Sequence, residues 1–297
     1  MFKYAMICAA MTTTCLAGEG VELQYRFDAD EPTRYEMVQS TGQNQSMQGM
    51  TMDTDSTSTT RMVTELIKTN KDGSIVIANT TQSVNFSLSA PGTELSYDST
   101  NPADQSKRSD PMIASIAATE GMEVQLLIGP SGSVLDVPNF DAIQAQIQAM
   151  PDQATRASIE PMMNREAIIV MNEMNYNLLP DGEIEIGDQW RREFKIPAGF
   201  GEITSTLDLT LDGVKDGVAK ILISGTMSMP AIHEQGITMT MSDTSLNGML
   251  AFDIDAGLPN QYDLTTEMVM VGTMSGMADP VLTMKMSQSV KTTRLTD

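Results

Sequence analysis

The sequence predicts an α+β fold that is mostly β, with long antiparallel strands in a curved sheet or partly open barrel and a helical insert near residues 140–180. Three observations predict it. Apolar and polar residues alternate over most of the chain, the pattern of strands buried on one face. Asp-Gly and Pro-Gly dipeptides punctuate those runs where tight turns belong. Between the β runs, apolar residues fall three and four apart, which is the helical period.

The first 17 residues read as a secretory signal peptide. Lys3 supplies the positive start, residues 4–11 an apolar run, and Cys15-Leu16-Ala17 a small-x-small cleavage pattern. The mature chain, residues 18–297, is then a single β-rich domain: a first β region (18–137), the helical insert (140–180) and a second β region (186–297). Cys8 and Cys15 both lie in the signal, so disulfides and thiol nucleophiles are excluded from the mature chain. Thr12 stands where a lipoprotein site carries an aliphatic residue, which makes lipidation of Cys15 the weaker reading. No stretch approaches the ~20 apolar residues of a membrane-spanning helix. The localisation expected is therefore exported, periplasmic or extracellular.

In the first β region, residues 21–27 alternate, placing Val21, Leu23, Tyr25 and Phe27 on one face. Residues 57–69 form a Thr-rich strand, and Asn70-Lys71-Asp72-Gly73 turns it into its partner, residues 74–89. A short strand (93–98) and a polar loop (101–110) follow. Asp110 and Pro111 then open a short helix to residue 119. Residues 122–128 and 133–137 pair across Pro130-Ser131-Gly132. Residues 141–150 form an amphipathic helix through Ile143 and Ile147. Residues 152–179 form a second helical stretch, broken near Pro161, with Ile168, Met171, Met174 and Leu178 on its apolar face. The last third returns to alternation over residues 189–196, 203–211, 218–228, 237–255, 261–273 and 281–294. Asp216-Gly217 supplies another hairpin turn.

The formal net charge is −21, which repels phosphate backbones and excludes nucleic acid as a natural partner. His233 is the single histidine, and it sits in an expected loop with no Gly-x-Ser-x-Gly elbow to serve. Gly129-Pro130-Ser131-Gly132-Ser133 lacks the final glycine and reads as a turn. One histidine makes a poor zinc site, and no Walker or dinucleotide fingerprint is present. No catalytic residue, metal ligand or cofactor is assigned. The spaced pairs Asp28/Asp30, Asp53/Asp55 and Asp253/Asp255 read as turn formers ahead of Ca²⁺ ligands, because a third ligand and a trailing glutamate are missing.

Methionine is the unusual count, at 26 residues. Met50/Met52, Met227/Met229, Met239/Met241, Met268/Met270 and Met284/Met286 are Met-x-Met pairs. On a strand that spacing is the core pattern, with thioethers in place of Val or Leu. Two other readings stay open: Cu(I) ligation, and a Met-lined cavity for varied apolar ligands.

Four segments together resemble a family of exported bacterial β-rich proteins of unknown function. They are residues 132–137 (Gly-Ser-Val-Leu-Asp-Val), Ile186-Gly187-Asp188-Gln189-Trp190, residues 216–221 from Asp216-Gly217, and residues 252–258 around Asp253-Ile254-Asp255. The resemblance implies an exported β-rich domain and transfers no functional residue. In the Gly-Asp-x-Trp segment, Gly187 suits a positive φ, Asp188 a backbone bond, and Trp190 an anchor for the next strand.

The function expected is a non-enzymatic binding or carrier module for an apolar small molecule or lipid, or an envelope scaffold. The alternatives are a carboxylate-based hydrolase and a Met-based Cu(I)-binding protein.

Overall fold

The computed structural model describes residues 20–47, 49–150, 152–160, 163–198, 201–234, 236–274 and 280–296. The expected signal peptide, both cysteines and Pro161 lie outside these. The chain opens with β1 (Val21–Glu22), β2 (Thr33–Met47), β3 (Met50–Thr69), β4 (Ile75–Ala90) and β5 (Thr93–Asp98). A 3₁₀ helix (Pro102–Ser109), α1 (Pro111–Ala117), β6 (Glu123–Ile128) and β7 (Val134–Asp136) follow. The insert holds α2 (Phe140–Ala149), α3 (Gln153–Ile159) and α4 (Arg165–Tyr176). After β8 (Glu183–Ile184) come β9 (Gln189–Ala198), β10 (Gly201–Lys215), β11 (Val218–Ser228), β12 (Ile232–Glu234), β13 (Ile237–Asp253), β14 (Leu258–Met274) and β15 (Leu282–Leu295).

Thirteen of these fifteen strands make one sheet in the order β7-β6-β4-β3-β2-β15-β14-β13-β11-β10-β9, with β5 beside β4 and β12 beside β13, while β1 and β8 pair with each other. Its pairings are antiparallel, and β2 against β15 joins the two β regions into one surface. The two ends of the order do not pair with each other, so the sheet is not closed, as a curved sheet or partly open barrel requires.

Three expectations are corrected, and one strand is an addition to them. Only Val21 and Glu22 of residues 21–27 form a ladder, and they pair with β8 rather than the main sheet. The side-chain alternation there is real, since Leu23 is buried and Tyr25 and Phe27 pack against the core. The backbone instead bonds irregularly, as Arg26 N–H does to the Gly257 carbonyl at 2.9 Å. Second, residues 102–109 are a 3₁₀ helix rather than a loop, capped by the Asn101 side chain and with Pro at its start. Third, His233 lies on β12, opposite Thr238, not in a loop. The added strand, β2, went unforeseen, because its core-side positions Gln39, Thr41, Gln43 and Gln45 are polar and hide the period of two. Other turns behave as expected: Asp216 and Gly217 both take positive φ, +51° and +74°, as a type I′ hairpin requires.

One face of the sheet, called inner here, carries the core. Phe194, Leu207, Leu209, Ile221, Leu250 and Phe252 build a cluster under β9–β14. Ile77, Leu126, Ile128, Ile143, Ile147 and Ile168 build a second between β4–β7 and helices α2–α4. Of the apolar face expected on α4, Ile168 is buried, Met174 packs on the first cluster, and Met171 is exposed instead. Tyr25 ties the clusters together, edge-on to both Tyr176 and Phe252 with ring centroids 5.6 and 5.7 Å away. Gly132 lets α4 approach: its φ is +91°, and a Cβ there would sit 2.1 Å from the Tyr176 carbonyl oxygen.

Candidate functional site

Where α4 crosses the middle of the inner face, it leaves a slot of about 110 Å³. The sheet side is Tyr35 and Met37 from β2, Met62 and Thr64 from β3, Asn79 from β4, Leu250, Pro259, Tyr262 and Thr292. The helix side is Asn172, Asn175 and Tyr176, with Leu178 just beyond. These residues come from both β regions and the insert, so no sequence window contains the site. Register aligns them: Met37, Thr292, Tyr262 and Leu250 stand opposite one another on β2, β15, β14 and β13. Directly opposed residues share a face.

The walls are aliphatic or aromatic with a few polar groups, the makeup of a small-molecule site. The Tyr176 hydroxyl donates to Asn79 Oδ1 at 3.3 Å, and Thr64 Oγ1 donates to the same oxygen at 2.7 Å. The hydroxyls of Tyr35 and Tyr262 have no hydrogen-bond partner among the described residues. Burial pushes the phenols of Tyr35, Tyr176 and Tyr262 above their ordinary range. Near neutral pH they are therefore neutral hydroxyls, able to donate and accept hydrogen bonds but not to act as bases.

The residues singled out in the sequence lie elsewhere. Exposed His233 holds Nδ1 2.9 Å from Thr238 Oγ1. Asp28 accepts from the Asp30 N–H at 2.8 Å, a turn contact. Asp53 accepts from the Asn44 amide at 2.6 Å on the outer face. Asp253 caps its own turn, accepting from Ala256 N–H at 2.9 Å and from Arg294 at 2.8 Å. The Ala256 N–H, more than the Arg294 guanidinium, holds this carboxyl below the usual range. Trp190 donates its indole N–H to the Leu178 carbonyl at 2.9 Å and packs on the first cluster, an anchor as expected. Gly187 takes a φ of +98°, and Asp188 accepts from Glu185 N–H at 2.8 Å. No three His, Cys, Asp or Glu side chains converge as a metal cluster among the described residues.

A larger cleft of about 650 Å³ lies at the end of the sheet, where Arg26, Arg34 and Arg294 face Asp28, Glu31 and Asp255. It brings carboxylates from distant segments together. All three carboxylates are exposed, however, and a catalytic acid of the glycosidase kind depends on burial.

No curated protein matches the chain. Among solved structures, similarity extends to the Pseudomonas aeruginosa protein OccK5 (OpdH), 6% identical over 91% of this chain and 100% of that one, with a TM-score of 0.28. It extends also to the β domain of the Bordetella autotransporter BrkA, 9% identical over 89% and 100%, with a TM-score of 0.22. P. aeruginosa OpdQ is 8% identical over 89% and 99%, with a TM-score of 0.19. At such scores the likeness carries no argument about function. No helix among the described residues is long and apolar enough to cross a membrane. The model of DUF6263, a family of unknown function, matches residues 72–259, well over half of the chain, and the protein belongs to that family.

Proposed function

We propose that this is an exported, non-enzymatic binding or carrier module, and that it takes the apolar end of a small molecule or lipid in the slot beneath α4. The slot carries the proposal. Met37, Met62, Leu178 and Leu250 supply an apolar wall, and Tyr35 and Tyr262 supply hydroxyls for a polar group. An engineered apolar cavity of about 150 Å³ holds a benzene ring, so the smaller slot here, about 110 Å³, suits a short stretch of alkyl chain. Methionine walls reshape around different ligands, which suits a carrier. Export rests on the residue pattern of positions 1–17.

Native mass spectrometry of gently purified protein tests this, together with titration by a fluorescent fatty acid. The expected results are a mass lacking residues 1–17, a bound apolar molecule, and at least tenfold weaker probe binding by Met62→Trp, which fills the slot. A protein that carries nothing apolar and binds the probe no better than the filled variant would sink the carrier reading.

A further inference from the structure

The inner face changes chemistry along its length. In its helix-covered half, β13 presents Leu246, Leu250 and Phe252 and β14 presents Tyr262 and Leu264, all buried. Farther along the same strands and the same face stand Met241 and Met239 on β13, Met270 and Met268 on β14, and Met286 and Met284 on β15. Among the described residues no helix packs closely on this half, and Met50, Met52 and Met47 at its rim are 68%, 48% and 46% exposed. Met270 is an exception at 6%. The core reading of the Met-x-Met pairs therefore fits Met270 and Met227, which packs on the first cluster, and fails at the exposed pair Met50/Met52, where a sequence needing only apolar bulk would use Val or Ile.

Register then groups the thioethers. Met268 stands opposite Met286, and Met270 opposite Met284, so two Met-x-Met motifs form a square on one face. Met241 stands opposite Met270 and extends the row. Opposed Cβ atoms lie about 4.5–5.5 Å apart, within reach of convergence for flexible four-atom side chains. In register the neighbours on this face are the uncharged Gln43, Gln45, Gln288, Thr266 and Leu282; Lys285 and Glu267 alternate to the other side, and Asp243 lies in the β13 bulge beside Met268. The Gln43 amide donates to the Met284 sulfur at 3.2 Å and so orients one thioether.

We propose that Met268, Met270, Met284 and Met286, with Met241 adjoining, form a soft-metal site for Cu(I). Neutral thioethers select this cation over hard divalent ions. The net charge of −21 favours the approach of any cation. The site is independent of the slot under α4, since Tyr262 and the Met268–Met270 pair are roughly 20–26 Å apart along β14.

Anaerobic Cu(I) titration of the whole protein against a competing chelator tests it, with X-ray absorption of the loaded protein. Wild type is expected to bind tighter than micromolar through a sulfur shell. The quadruple variant Met268→Leu, Met270→Leu, Met284→Leu, Met286→Leu is expected to bind at least 100-fold more weakly. Met112→Leu with Met171→Leu, on exposed helix surfaces, is expected to bind like wild type. Should the quadruple variant fail to fold by circular dichroism, the double variants M268L/M286L and M270L/M284L replace it, each expected to lose at least tenfold. Wild-type binding weaker than micromolar, an oxygen or nitrogen shell, or folded leucine variants that bind like wild type would each overturn the proposal.

Discussion

Tyr25, Tyr35, Tyr176 and Tyr262 all have phenols raised by burial, the largest cause in each case. The unfolded value is about 10. Below it both states are protonated, and the tyrosines contribute their full stability. Above it the unfolded chain releases protons that the folded protein retains, so stability falls as pH rises toward the folded values. The denaturation midpoint should hold between pH 8 and about pH 10 and decline beyond. Tyr262→Phe should flatten that decline, because phenylalanine has no proton to lose. A midpoint unchanged at pH 11 would contradict the burial of these hydroxyls. At the same scale, Asp253 acts as the turn former its sequence favours: Asp253-Ile254-Asp255 has the spacing of a cation loop, yet Asp253 spends its oxygens on Ala256 N–H and Arg294.

Single strands here pass through two environments. Residues Leu246, Leu250 and Phe252 of β13 lie in the core, whereas Met239 and Met241 are only half-buried. Asp243, with a φ of +47°, sits in the bulge between them. Opening free energy follows burial, so hydrogen exchange should divide the strand. Amides of residues 246–253 should exchange at least ~10-fold more slowly than those of 237–242. Uniform protection would show that the far half has a cover of its own. The insert is legible for the opposite reason. The spacing of Ile143 and Ile147 predicts α2, and both residues are buried against β6 and its neighbours.

An open sheet leaves edges that invite pairing with other chains. One edge here, β7, is three residues long. The other, β9, carries Arg191, Arg192, Lys195 and Pro197, charges and a missing donor that oppose strand addition. Replacing Arg191, Lys195 and Pro197 together with valine should make the protein self-associate in analytical ultracentrifugation. The exposed ion pairs lost with them, Arg191–Asp208 and Lys195–Glu202, contribute little to stability. A variant that stays in the wild-type oligomeric state would show that the edge is guarded by something else.

The sequence by itself determined the local chemistry: most of the strands and helices, the turns that reverse the chain, and that the mature chain is thiol-free if residues 1–17 are removed. Those properties depend on neighbours in the chain, through the alternation of side chains and the φ freedom of residues such as Gly187 and Gly217. Tertiary structure alone decided the rest. The polar inner positions of β2 erased its pattern, so its place between β3 and β15 follows from ladder pairing and not from hydrophobicity. The slot under α4 joins residues from Tyr35 to Thr292, and the methionine square exists only because β14 and β15 pair in one register. A shift of one residue would send half of those thioethers to the outer face, and nothing in a linear pattern fixes that register.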